Sequence, residues 1–235
     1  MSIKAILFDL DGTLLPMDQD EFVNTYFGFL AKKMAGYGYE PKSLISAVWA
    51  GTKAMILNNG QKTNENAFWD KFCSLMGDDK RNDIPLFESF YEVEFQQAQA
   101  VCPKNEKAAL TVNALKDMGF KLVLATNPIF PQIATKSRIK WAGLCEEDFE
   151  FYTTYENSFY SKPSLMYYKD ILSQLSLSAD ECLMVGNDVG DDMVAKKLGM
   201  KVFLLTDCLI NKDDEDISQY PNGSFDELLE YVKTL

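Results

Sequence analysis

The stretch Ile6-Leu7-Phe8-Asp9-Leu10-Asp11-Gly12-Thr13-Leu14-Leu15, ILFDLDGTLL, sets two carboxylates two residues apart just where an oily run ends. That run begins at Ile3, and its unalternating apolar character predicts a strand buried on both faces, as in a parallel sheet. A chain that needed only a turn there could use one Asp, or Asn-Gly. Two acids at the edge of a core call for a positive partner, which the rest of the chain must supply.

Similar short runs recur at residues 122–125, 182–185 and 202–205, with a weaker strand at 149–153. Helical patterns alternate with them at 105–118, 131–141, 164–175 and 191–198, and an amphipathic stretch at 224–235 follows a Pro221-Asn222-Gly223 turn. Strand–helix alternation of this kind predicts a doubly wound, mainly parallel α/β sheet of Rossmann-like form. Residues 17–100 break the alternation and carry only helix-like segments. Phe22, Tyr26, Phe29, Leu30 and Met34 share one helical face. A second helix opens at Pro41 and ends at Asn58-Asn59-Gly60, a third is capped by Thr63 or Asn64 and runs through Met76, and a fourth covers 86–97. The reading is a core of residues 1–16 plus 102–235 with an inserted all-helical domain at 17–101, hinged at 16–20 and 101–105. The insert's aromatics, Phe22, Tyr26, Trp49, Phe68, Trp69 and Tyr91, are expected to be core.

Composition removes several function classes. A net charge of −12 over 235 residues argues against nucleic acid as a partner. No apolar run approaches a bilayer span, so no membrane partner is expected. Five scattered cysteines without a C-x-x-C pair read as reduced thiols of a cytoplasmic protein, and no signal stretch opens the chain. A monomer is the default expectation. The chain has no histidine at all, which excludes Ser-His-Asp and Cys-His machinery. Proton transfer falls to carboxylates, Lys, Tyr or Cys, and a bound metal would have only oxygen and sulfur ligands, tilting the choice toward Mg²⁺.

In an open parallel sheet the carboxyl ends of the strands share one edge, where ligands bind. Asp9 and Asp11 follow the first strand, and Thr126-Asn127-Pro128 the second. Ser161-Lys162-Pro163 lies beyond the weaker strand, and Gly186-Asn187-Asp188-Val189-Gly190-Asp191-Asp192 follows the run at 182–185. Several carboxylates so close would raise one another's pKa, and a divalent cation resolves the repulsion. With Lys162 beside them, the arrangement suits a phosphoryl group.

These four elements, in this order, resemble the haloacid dehalogenase-like hydrolase superfamily: an apolar run with D-x-D-G-T, a Thr or Ser after the second strand, a Lys, and an acidic motif. The likeness implies a phosphatase in which Asp9 is the nucleophile forming an aspartyl-phosphate, and Asp11 protonates the leaving oxygen and then activates water. Thr126, with Asn127 beside it, would bind the phosphoryl group, and Lys162 would neutralise nucleophile and phosphate. Mg²⁺ would be held by the Asp9 carboxylate, the Asp11 backbone carbonyl and an acid of the last motif. That motif reads Gly186-Asn187-Asp188 where many members read G-D. Asp188 is favoured as the ligand because a charged oxygen binds Mg²⁺ better than an amide; Asp192 or Asp191 would then stand behind it, fixing Lys162 or a metal water. The implied substrate is a small phosphorylated metabolite. A phosphomutase and a dehalogenase are the alternatives within the superfamily, and a phosphorylation-switched receiver module is the alternative outside it. Arg138 and Lys140, on the helix at 131–141, are expected to be solvated.

Overall fold

The computed structural model describes residues 2–235. Six strands form one sheet in the order β3-β2-β1-β4-β5-β6. They are β1 (Ala5–Phe8), β2 (Lys121–Leu124), β3 (Phe151–Tyr152), β4 (Cys182–Gly186), β5 (Lys201–Leu205) and β6 (Asn222–Gly223). Every neighbouring pair is parallel. β1 therefore sits between β2 and β4, and the strand order reverses at its carboxyl end.

Period-two packing explains why the strand sequences look uniformly apolar. Ile6, Phe8, Leu122, Leu124, Leu183 and Val185 pack on one face, in a cluster with α5 (Glu106–Asp117), α6 (Gln132–Trp141) and α8 (Phe225–Val232). Ala5, Leu7, Val123, Cys182 and Met184 pack on the other, against α7 (Leu165–Leu175) and a 3₁₀ segment, Met193–Leu198. Both faces are covered, so alternation has no polar partner to reveal it. Each fully buried Leu or Phe contributes about 1.5–3 kcal/mol by area removed from water.

Between β1 and α5 lie α1 (Gln19–Ala35), α2 (Pro41–Ile56), α3 (Asn64–Met76) and α4 (Ile84–Glu92), with 3₁₀ segments Asp78–Asp83 and Glu94–Val101. Their starts follow from local chemistry. The Asp18 side chain accepts from Glu21 N, Glu40 caps the Pro41 helix, and Thr63 accepts from Asn66 N.

Four sequence expectations are corrected. The helix expected over 86–97 breaks at Val93, because the Gln96 side chain bonds the Tyr91 carbonyl at 2.7 Å and Phe95 turns into the core against Trp141. The helix expected from Asp191 is a 3₁₀ segment starting at Met193, since the Asp192 carboxylate is diverted to Lys162 and to Asp188 N. The Asn222-Gly223 turn is a short edge strand, pairing with Leu204 and Leu205. Of the insert's aromatics, Trp49 is not core: it is 50% exposed.

No helix among the described residues is long and apolar enough to cross a membrane. All five cysteines are free.

An ion pair between Lys4 and Glu181 ties the entry of β1 to the entry of β4. The lysine, together with bonds from Ser178, holds the Glu181 carboxyl down at about 2. A depressed carboxylate stabilises the fold above its unfolded pKa and loses that contribution as pH falls through the folded value. The expected result is that Glu181→Gln lowers Tm relative to the parent at pH 6, and that the difference closes between about pH 4.5 and 2. Parallel thermal melts across that range check it.

Candidate active site

At the carboxyl edge of β1 the chain turns at once. Gly12 takes φ +82°, and a Cβ there would lie 2.4 Å from Asn187 Nδ2, so both conformation and space require glycine. The turn leaves Asp9 buried at the end of the strand and Asp11 partly open. Thr13 Oγ1 lies 3.2 Å from Asp9 Oδ2 and donates to Asn187 Oδ1 at 2.9 Å, joining the first motif to the fourth.

The positive partner the two acids called for is double. Lys162, 1% exposed, donates to Asp9 Oδ1 at 2.8 Å and to Asp192 Oδ1 at 2.6 Å. Burial works against its charge, but Asp192 and Asp9 outweigh that and hold its pKa well above the ordinary lysine value. Burial pushes the Asp192 carboxyl upward, against the pull of Lys162. Gly186 makes room for this acid: a Cβ there would lie 2.0 Å from Asp192 Oδ2.

The second cation was misread in the sequence. Arg138 is fully buried, and its Nη1 pairs with Asp11 Oδ2. Its guanidinium lies 4.3 Å from the Phe130 ring centroid, and Nη2 donates to Thr135 Oγ1 at 3.3 Å. Burial raises the Asp11 carboxyl above its usual range, although Arg138 pulls the other way. A signal was available: Ala134, Arg138 and Trp141 share one helical face, and both apolar members are buried. Lys140 is exposed as expected.

Thr126 is buried, with its carbonyl taken by Thr153 Oγ1 at 2.6 Å and Tyr167 OH at 2.8 Å. Those two partners, which sequence reading did not single out, fix the peptide on which Thr126 and Asn127 stand. Asp188 Oδ1 accepts from the backbone N–H of Gly190 and Asp191, at 2.8 and 3.0 Å. Asn187 uses both ends of its amide, accepting from Thr13 and donating to the Cys208 carbonyl at 2.6 Å.

Asp9, Asp11, Thr126, Asn127, Lys162, Asn187, Asp188, Asp191 and Asp192 line one cavity of about 920 Å³. Among the described residues, two buried acceptors on its wall have no partner: Asp11 Oδ1 and Asn127 Oδ1. The loop bearing Lys162 is stitched to the inserted helices. Ser161 Oγ donates to the Met55 carbonyl at 3.2 Å, and Asn64 Nδ2 reaches Ser161 Oγ and the Pro128 carbonyl, each at 3.1 Å.

The residues present fit a hard divalent cation in donor chemistry. They offer only oxygen, with the orphaned Asp11 Oδ1 beside them. Asp188 keeps one oxygen free of protein bonds, whereas the Asn187 amide already has a protein partner at each end. Among the described residues no three His, Cys, Asp or Glu side chains converge as a ready-made cage. A set of two carboxylates and a main-chain carbonyl asks for none, leaving the other positions to water and substrate.

An open parallel sheet with acids and a lysine gathered at its switch point defines a doubly wound α/β enzyme. The chain belongs to the haloacid dehalogenase-like hydrolases: the family's model matches residues 3–199. It is 28% identical over 246 residues to a glyceraldehyde 3-phosphate phosphatase of Methanocaldococcus jannaschii, covering 99% of this chain and 98% of that one. A phosphoglycolate phosphatase of Vibrio cholerae is 29% identical over 207 residues, covering 87% of this chain and 85% of that one. The crystal structure of a 2-haloacid dehalogenase from Pseudomonas syringae pv. Tomato superposes with a TM-score of 0.64, covering 99% of each chain at 17% identity, a likeness of fold alone. The receiver-module alternative falls with the family assignment.

Proposed function

We propose that this hydrolase is a Mg²⁺-dependent phosphomonoesterase acting on a small phosphorylated metabolite. The observation that carries the reading is Lys162, wedged between Asp9 and Asp192 on the cavity wall, with Asp11 two residues from the nucleophile position. Both curated relatives are phosphatases, which supports it.

Asp9 attacks phosphorus and forms an aspartyl-phosphate. Lys162 screens the charge between attacking carboxylate and phosphoryl oxygens, and Asp192 keeps the lysine in place. Asp11 gives its proton to the leaving oxygen, then takes one from the water that releases phosphate. Its raised pKa suits the first of these roles. Thr126 and Asn127 receive the phosphoryl oxygens, and Asp188, Asp9 and the Asp11 carbonyl would hold Mg²⁺. That ion supplies positive charge where the carboxylates and the phosphate would otherwise repel. The helices at 17–101 serve as a cap that excludes water during transfer. The five free thiols fit a cytoplasmic setting.

Asp11 also separates this reading from dehalogenation, since a halide leaves without a proton. Phosphate release from p-nitrophenyl phosphate with Mg²⁺, abolished by chelator, is the expected result. No turnover, or turnover indifferent to chelator, overturns the reading.

Arg138 grips one oxygen of Asp11 and leaves the other free. Arg138→Gln should therefore impair proton delivery more than phosphoryl binding. The expected outcome is a fall of roughly 10²-fold in kcat/KM for an alkyl phosphate, as loss of general-acid help costs. With p-nitrophenyl phosphate, whose leaving group needs no proton, the fall should be less than about tenfold. Paired kinetics on the two esters check it, and equal losses would mark a purely structural role.

A further inference from the structure

The same cavity speaks to the alcohol half of the substrate, an inference that rests on the phosphatase reading. Beyond Asp9 and Lys162, its wall is made by the inserted helices and the loop after β2, with the rings of Phe22, Tyr26, Trp49, Trp69, Tyr91 and Phe130. The polar atoms on these rings are largely engaged among themselves. The Tyr26 and Tyr91 hydroxyls bond each other at 3.0 Å, and the Trp69 N–H reaches the Tyr155 hydroxyl at 3.5 Å. Trp49, half exposed, and Phe130, half-buried, offer most of the ring carbon on this part of the lining.

Charge on that wall has one sign. Asp18, Asp20, Glu21 and Glu88 line it, and α1 to α4 contribute no lysine or arginine to the lining among the described residues. Lys162 is committed to Asp9 and Asp192. Lys212 also borders the cavity, but it follows Ile210, whose backbone is bonded to Asn187 and Val189, and so belongs to the phosphoryl end. Arg138 lies behind Asp11 and is paired with it. A carboxylate or second phosphate on the alcohol would meet the exposed carboxylates of this wall, with Lys212, at the phosphoryl end, as the nearest cation not already committed to Asp9, Asp11 or Asp192.

We propose that the site takes a phosphomonoester whose alcohol is flat and apolar, seated among Phe22, Trp49 and Phe130, and turns away esters carrying a second negative charge. Of the two phosphatase relatives' named substrates, this sets phosphoglycolate, which bears a carboxylate, behind glyceraldehyde 3-phosphate, which does not.

Benzyl phosphate and 2-phosphoglycolate are both primary alkyl esters, so leaving-group chemistry is closely matched and the comparison reads recognition. With Mg²⁺, kcat/KM for benzyl phosphate is expected to exceed that for 2-phosphoglycolate by more than tenfold, with glyceraldehyde 3-phosphate between them. Trp49 is half exposed and packs on Phe27 at 5.3 Å, so Trp49→Ala removes a cavity ring with little risk to the fold. It is expected to shrink the benzyl-to-phosphoglycolate ratio at least threefold. A parent ratio within tenfold, or one that Trp49→Ala shifts by less than threefold, overturns the inference while leaving the phosphatase reading intact. Failure to release phosphate from all three esters while p-nitrophenyl phosphate is turned over overturns the inference alone, and failure on p-nitrophenyl phosphate as well overturns both.

Discussion

Replacing Asp9 by Asn is expected to abolish phosphate release while leaving the protein folded. The amide is nearly isosteric, and its oxygen can keep the 2.8 Å bond from Lys162. Its nitrogen would face Thr13 Oγ1, which already donates to Asn187 and so has a lone pair to offer. Local packing therefore survives. On the proposed mechanism what is lost is the nucleophile: an amide does not form the acyl-phosphate bond, and the rate should fall by roughly three to six orders of magnitude. Phosphate release under saturating Mg²⁺, with circular dichroism and a thermal melt beside it, checks both halves. Full turnover by Asp9→Asn would remove the covalent mechanism outright.

Lys162→Met should be nearly as damaging to rate and far more damaging to stability. The lysine is the shared counter-charge of Asp9 and Asp192, and both its ion pairs are buried. Removing one side of such an arrangement typically costs about 3–5 kcal/mol, because the charges left behind are uncompensated. Turnover is expected to drop by about a thousandfold or more, since the screening of phosphoryl charge goes with it. The stability loss carries a pH signature. Without Lys162 the pull that opposed burial at Asp192 is gone, so its pKa in the folded protein rises further above the unfolded value. A raised acid binds more protons folded than unfolded, so the variant regains stability as pH falls through that raised pKa toward the unfolded one. Melts with chelator present, so that no cation replaces the lysine, should show the gap from the parent narrowing as pH falls from about 9 toward 7, below which Asp192 of the parent, itself raised to about 7, takes up its proton as well. A gap that stays constant would mean that the Asp192 carboxylate is not what the lysine restrains.

Much of this architecture is legible in the chain. Ile6 and Phe8 go to one face and Ala5 and Leu7 to the other, and only a strand covered on both sides makes all four apolar. Asp9, Thr126, Lys162 and Asp188 each follow a strand, so a parallel sheet delivers them to one edge without further information. What could not be read depends on tertiary partners. Arg138 looks like any helical arginine until Asp11, 127 positions away, is folded against it. Its place on the Ala134–Trp141 face was the available hint. The break at Val93 needs Gln96 to capture the Tyr91 carbonyl, a choice that propensity alone does not dictate. Asn222-Gly223 carries a turn signature, and only the free edge of β5 makes it a strand.

The bonds that tie Asn64 and Met55 to Ser161 have a consequence for how access and chemistry are linked. If the helices swing outward, those bonds must be broken or remade, and the residue next in the chain is Lys162, which bonds the proposed nucleophile Asp9. Entry of the substrate and readiness of the charge are then two readings of one equilibrium. By reciprocity, a phosphoryl group that draws Lys162 into place also favours the shut arrangement, to the same degree that shutting favours the phosphoryl group.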